Sequence, residues 1–306
     1  MKKLNVVGML LVLMGCGGGG NNNSSPSIPL TAKITSSQLK FSGSVVTLDG
    51  SQSTGNMISY EWTIVSSPSG SIASLTNSTT AKPSVTADLP GQYSIKLVVT
   101  DSKTASSANT SILLTANVPP TDLVVIGNSL TRHGQLPTVD WYGDWGMAAS
   151  VSSKDFSHLV STSLNLPLSA AINFSTLETS PITVLDSDIL SIVAPVKQSS
   201  MVVVELGDNV STLEVFSPQY SKLLDSVSQA RLLVCTSTWW KDINKDAVIQ
   251  AACAAHGGQY VFIGDIYTDP TNQDKQGVQF SNAGVNAHPH DWSMAKIAER
   301  IVAVSH

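Results

Sequence analysis

"DLVVIGNSLTRHG", Asp122–Gly134, is the stretch whose reading decides the fold. Leu123–Ile126 is a short apolar run, and it leads through a glycine and an asparagine to Ser129 in a tight turn. Such a run predicts a buried strand of a parallel sheet, here with a serine at its carboxyl end. Four further runs of the same kind follow: Ala170–Phe174, Met201–Leu206, Leu232–Thr236 and Tyr260–Ile263. Helical stretches lie between them. Phe156, Leu159, Val160 and Leu164 share one helical face, and Tyr220, Leu223, Leu224 and Val227 share another behind a Ser217–Pro218 start. The helix carrying Val248, Ile249 and Ala252 stops at Gly257–Gly258, and Met294, Ile297, Ala298 and Ile301 line the last one. The alternation predicts a doubly wound α/β domain over residues 122–306, with its site at the carboxyl ends of the strands.

Upstream the period changes. Residues 31–117 carry short alternating runs such as "SVVTLDG", "ISYEWTIV" and "YSIKLVVTD" between Ser/Gly/Asn turns, which predicts a separate all-β sandwich with Trp62 in its core. "ANVPPTD" closes it, and residues 118–121 read as a short, stiff proline linker. The pieces "LDGSQS", "YEW" and "GQYSIKLVVTD" come in the order found in polycystic-kidney-disease-type (PKD) Ig-like modules, which this segment resembles. The resemblance implies a spacer or a weak sugar or protein binder. Asp49 and Asp101 suit turn capping, with calcium as the alternative.

Apolar residues make up 42% of the 306 positions and charged residues 13%, with a formal charge of −5. Lys2 and Lys3 are the one basic cluster, which argues against a nucleic-acid partner. They precede an apolar run, Leu4–Met14, too short to span a bilayer, and "LMGC" then places a cysteine at position 16. The pattern resembles a bacterial lipoprotein signal. It implies removal of residues 1–15 and lipidation of Cys16, with an ordinary signal peptide as the alternative. The remaining chain has 15 basic against 22 acidic residues, a charge of −7. Residues 16–30, opening "GGGGNNNSSPS" from Gly17, read as a flexible tether. Such an anchor implies the cell envelope, facing periplasm or exterior, at the outer membrane in a Gram-negative host because Gly17 follows the cysteine. Cys235 and Cys253 read as buried free thiols, with a disulfide as the alternative in an oxidising compartment. No Cys/His spacing suggests a metal site.

Three strand ends carry chemistry: "GNS" with Ser129, "LGDN" with Asn209, and "AHPHD", before the last helix, with His288. A serine hydroxyl needs a neighbouring imidazole to become a nucleophile, and the tetrahedral intermediate needs preset donors around its oxyanion. In order and spacing the set resembles the SGNH (GDSL-like) hydrolases. The resemblance implies a flavodoxin-like domain in which Ser129 is nucleophile, His288 base and Asn209 oxyanion donor. It also implies backbone donors at Ser129 and at Ser175, where the family's second-block glycine belongs; Gly146 is the alternative. The family's aspartate three residues before the histidine is here Val285. Either a backbone carbonyl holds the imidazole, or an acid comes from elsewhere, Asp265 and Asp269 being candidates. Asp291 reads as a cap of the final helix.

Aromatic residues crowd two loops. Trp141, Tyr142 and Trp145 lie in one, and "TSTWWKD" adds Trp239 and Trp240. They read either as a mutually packed loop core or as a substrate wall, with Trp145, Trp239 and Trp240 as substrate-binding candidates. His133 and His290 are alternative bases, and His158 belongs to solvent or a packing seam. Asp208 reads as a loop-backbone acceptor, and Glu178 as a contact to substrate hydroxyls. Together these point to a surface-anchored serine esterase acting on O-acetyl or other short acyl groups of a carbohydrate, without a cofactor. The alternatives are a lipase or thioesterase on longer chains, and a catalytically weak glycan-binding lipoprotein. The membrane would be met through the lipid anchor alone.

Overall fold

The computed structural model describes residues 28–305, apart from Gln38, Met57 and residues 275–279. The signal segment 1–15, Cys16 and the tether up to Ser27 lie outside the described residues.

The first domain is two antiparallel sheets. One has β1 (Thr35–Ser36), β2 (Val45–Asp49), β4 (Leu75–Thr76) and β5 (Ser84–Thr86), in the order β1-β2-β5-β4. The other has β3 (Ile58–Ser66), β6 (Gly91–Asp101) and β7 (Ser107–Ala116), in the order β3-β6-β7. Strand β6 shows why they meet. Tyr93, Ile95, Leu97 and Val99 are buried in strict alternation, and they face Val46, Leu48 and Val85 of the other sheet. Trp62 fills the centre and donates its indole N–H to the Thr80 carbonyl, 2.9 Å away. Gly50 of the "LDGS" turn has no room for a side chain: a Cβ there would lie 2.9 Å from the Trp62 ring. Asp49 and Asp101 cap turns, accepting from the N–H groups of Ser51 and Lys103 at 2.8 Å each.

The second domain is a five-stranded parallel sheet of β8 (Asp122–Gly127), β9 (Leu168–Asn173), β10 (Ser200–Glu205), β11 (Leu232–Thr236) and β12 (Gln259–Val261). Its order, β12-β11-β10-β8-β9, is the flavodoxin-like arrangement, as the alternation of strands and helices led one to expect. Helices α1 (Phe156–Leu164) and α7 (Asp291–Ala303) cover one face over Leu123, Val125, Met201 and Val203. On the other face, α3 (Asp186–Val193), α4 (Leu213–Val227) and α5 (Ile243–Ala255) cover Val124, Ile126, Val202 and Val204. The short α2 (Thr176–Thr179) and α6 (Ala283–Asn286) carry loop residues of the site.

Three local expectations are corrected. Helix α4 begins at Leu213, so Pro218 lies inside it rather than at its start; Phe216 extends the buried face a turn earlier. Cys235 of β11 and Cys253 of α5 are a disulfide, not free thiols. Both face the same core, and their pairing depends on which face of α5 meets the sheet. Asp291 does not cap α7. Its carboxylate takes the Ser150 N–H and hydroxyl and the Lys154 ammonium, at 2.8, 2.7 and 2.7 Å. The cap comes from Asp274, which accepts from the N–H groups of His290, Trp292 and Ser293.

The two domains touch. Phe41 leaves the sandwich and is buried among Leu123, Met201, Leu232 and Ile301. Lys40 donates to Gln259 and to the Val304 carbonyl. Non-reducing alkylation of the unfolded chain should find no free thiol at Cys235 or Cys253. A Cys253→Ser variant should lose about 3 kcal/mol of unfolding free energy, read from denaturant midpoints, because the bridge closes a loop of this length in the unfolded chain.

Candidate active site

The site begins with strand register. Gly127 of β8 lies opposite Glu205 of β10 and Asn173 of β9, so three chain segments leave the sheet side by side. Gly127 is needed there, because a Cβ would fall 2.0 Å from the Thr131 hydroxyl and 2.6 Å from the Glu205 carbonyl. The chain then turns through Asn128 to Ser129. The Asn128 side-chain carbonyl accepts the Leu130 N–H at 2.9 Å, and the Ser129 carbonyl accepts the Met147 N–H at 2.9 Å.

The Ser129 hydroxyl lies 2.8 Å from Nε2 of His288. Nδ1 of the same ring lies 2.8 Å from the Gly284 carbonyl. A carbonyl only accepts, so Nδ1 carries the proton and Nε2 is left to accept the Ser129 O–H. Burial lowers the His288 pKa below its ordinary value, outweighing the opposing Gly284 hydrogen bond; His133 and His290 lower it further. The ring is therefore neutral at neutral pH. Its loop is held from two sides. Val285, 2% exposed, packs with Trp141, Met147 and Ala148, and Trp239 donates its indole N–H to the Ala287 carbonyl at 3.0 Å.

Neither acid candidate reaches His288. Asp265 pairs with Arg300, and Asp269 accepts from Thr271. His133 is turned to its own loop, with Nδ1 on the Gly134 carbonyl at 2.7 Å. His158 pairs with Asp155 at 2.8 Å. His290 is buried against Phe280, and its ring nitrogens have no partner among the described residues.

The expected oxyanion donors divide. Asn209 is exposed in the loop after β10, with one Nδ2 hydrogen on Glu178 Oε2 at 2.9 Å. The Ser129 N–H has no acceptor among the described residues. The other two are occupied. The Ser175 N–H goes to Oδ1 of Asn173 at 3.0 Å, and the Gly146 N–H to Asp155 at 3.3 Å. Both are better read as loop supports than as donors to substrate.

The aromatic candidates divide as well. Trp239 is 1% exposed and Trp145 half-buried, edge-on to Trp141 at 5.7 Å with its indole N–H on the Ala149 carbonyl. What surface Trp239 keeps lies on a recess beside His288. Trp240 stands at the site, 36% exposed and 5.4 Å from the His288 ring. The recess beside His288, of about 470 Å³, is lined by Trp239, Tyr267, Thr268, Asn272, Asp274, Asn286 and His290.

Beneath Ser129 lies an acidic cluster. Asn128 Nδ2 is 3.2 Å from Glu178, 3.3 Å from Glu205 and 3.4 Å from Asp208. Glu178 is buried here rather than offered to substrate. Asp208 accepts the Trp239 N–H at 2.8 Å. Burial raises the Glu205 pKa well above the ordinary value, and the Asp208 and Glu178 charges add to it. Burial and the Glu178 charge push Asp208 up to about 6. No group of three or more such side chains is arranged to hold a metal ion among the described residues. The sequence held one signal of this cluster: Glu205 ends an otherwise apolar run, "MVVVE".

A family model described as K319L-like, PKD domain matches residues 35–114. No curated protein matches the sequence. Among solved structures, a PKD domain in solution is 26% identical over 32% of this chain and 93% of its own, with a TM-score of 0.24. A family two carbohydrate esterase from Clostridium thermocellum, in complex with cellohexaose, is 15% identical over 90% of this chain and 97% of its own, at 0.42. A member of the lipolytic protein G-D-S-L family from Veillonella parvula is 13% identical over 60% and 97%, at 0.39. Likenesses at this level do not decide chemistry. Residues 35–114 are a PKD-type sandwich; the α/β domain takes its reading from its own side chains.

Raised carboxyl pKa values have a consequence for stability. The folded site keeps protons that the unfolded chain has already released, so stability falls as the pH rises from the ordinary aspartate value of 3.8 to about 6, where Asp208 ionises in the fold. Denaturant midpoints should fall from pH 4 to about pH 6 in the parent, and fall less in Glu205→Gln. Equal slopes in the two chains would contradict this assignment.

Proposed function

We propose that residues 122–306 are a serine esterase of SGNH type, working with a Ser–His pair and no side-chain acid. The observation that carries this reading is the line Ser129 hydroxyl, His288 ring, Gly284 carbonyl, with both separations at 2.8 Å. In it Ser129 attacks the ester carbonyl as Nε2 of His288 takes its proton. The developing oxyanion is met by the Ser129 N–H and the free hydrogen of Asn209 Nδ2. The imidazolium then protonates the departing alcohol. Water repeats the sequence on the acyl-enzyme, releasing the acid and restoring Ser129.

The substrate we favour is a short acyl ester, such as O-acetyl, on a carbohydrate. The recess next to His288 mixes the Trp239 and Tyr267 rings with the polar groups of Thr268, Asn272, Asp274 and Asn286, a pairing of flat rings and hydrogen-bonding groups that suits a sugar. Trp240 supplies an exposed ring beside His288. Attachment to the bacterial envelope through Cys16 is part of the same proposal, supported by the signal-like sequence and by a disulfide suited to an oxidising compartment.

Hydrolysis of p-nitrophenyl acetate by the full chain tests the chemistry. Ser129→Ala and His288→Ala should each lose roughly 10³-fold or more in kcat. Asp265→Asn and Asp269→Asn should stay close to the parent. The rate should rise with pH along a single ionisation lying below 6.5, the ordinary histidine value, and then stay level, because the neutral ring is the active form. A residual rate in Ser129→Ala equal to the parent rejects the reading.

A series of nitrophenyl esters addresses the acyl group. Turnover should be greatest for acetate and fall with chain length. A maximum at eight carbons or more would favour the lipase reading instead.

A further inference from the structure

Glu178 is a buried carboxyl group, 2% exposed, that the proposed chemistry does not use. Burying such a group is costly unless its oxygens are paired. All of its partners belong to the site. Oε1 accepts the Gly207 N–H and the Asn128 side-chain amide, and Oε2 accepts the Asn209 side-chain amide at 2.9 Å. One carboxylate thus joins the residue before Ser129 to the loop that carries Asn209. Gly207 turns that loop at φ +139°, where a Cβ would lie 2.6 Å from Ile249.

An Asn amide can be turned by half a rotation with little change in shape, and the wrong turn would present an oxygen to the developing oxyanion. A carboxylate accepts and does not donate. It forces the Asn209 NH2 toward itself, and planarity directs the second N–H outward. We propose that Glu178 is a positioning residue, which locks the Asn209 amide in the orientation that serves the oxyanion. This rests on the esterase reading above.

Glu178→Gln is the informative change. If the Gln oxygen keeps Gly207 and Asn128, its NH2 faces the NH2 of Asn209, donor against donor. Asn209 must then flip or turn away. The test is a double-mutant cycle in the full chain with p-nitrophenyl acetate, run beside the parent and Ser129→Ala. Glu178→Gln should lower kcat by about 10²–10³-fold, the usual effect of losing one oxyanion donor, and leave KM within about threefold. Asn209→Ala should do the same, and adding Glu178→Gln to it should cost no more than about threefold further. The proposal is overturned if Glu178→Gln keeps kcat within about threefold, or adds its whole loss on top of Asn209→Ala. An active Ser129→Ala chain would reject the esterase reading and this proposal with it.

Should Glu178→Gln fail to fold, the parent decides. Its Asn209 side-chain amide signal, assigned by its disappearance in Asn209→Ala, should show one proton shifted downfield by the carboxylate. Two protons at ordinary amide positions would overturn the proposal.

Discussion

The side chain of Asn128 lies fully buried among three acids, and the shape of the site depends on it. Its amide hydrogens face Glu178, Glu205 and Asp208, while its oxygen shapes the turn that presents Ser129. Three carboxyl groups so close cannot all ionise at low cost. Glu205, the most deeply buried by its surroundings, holds its proton, and that relieves the repulsion. A buried polar network of this kind is rigid when every member is paired and expensive when one is not. The loops after β8 and β10 are therefore tied to each other through side chains, beyond the register of the sheet beneath them.

The second constraint is a carbonyl where a carboxylate would be expected. The Gly284 oxygen selects the useful tautomer of His288 as well as an acid does. It brings a dipole rather than a full negative charge, so it stabilises the imidazolium less. Burial outweighs that hydrogen bond and leaves a low-pKa histidine, strong in readiness and modest in basicity. Val285 serves a different end in this chain. Its isopropyl group anchors the histidine loop against Trp141, Met147 and Ala148, and packing takes the place that ion pairing would have filled.

Burial also decided the fate of the aromatic residues. Trp141 is closed in by Trp145 and Phe280, with its indole N–H on the His133 carbonyl at 2.9 Å. Trp239 lies under the histidine loop and holds it in place. Large rings gain more from complete desolvation than from a partly wet surface, and here most are used to stiffen loops that have no secondary structure of their own. Tyr142 and Trp240 stay open to solvent.

What could be read from the sequence was whatever depends on near neighbours. Apolar runs and their periods determined the main strands of both domains, the order of the elements and the places where the strands end. Ser129, Asn209 and His288 could be singled out because each follows such an end or precedes the last helix. The partners of those residues could not be read in the same way. Glu178 and Asn209 are 31 positions apart, Asn128 and Glu205 77, and Cys235 and Cys253 18. No local pattern says which side of α5 meets β11, which N–H is already taken at Ser175 and Gly146, or that a backbone oxygen at Gly284 will stand behind the imidazole. Those choices belong to tertiary structure, because a hydrogen bond depends on distances of a few tenths of an ångström between segments that only packing brings together.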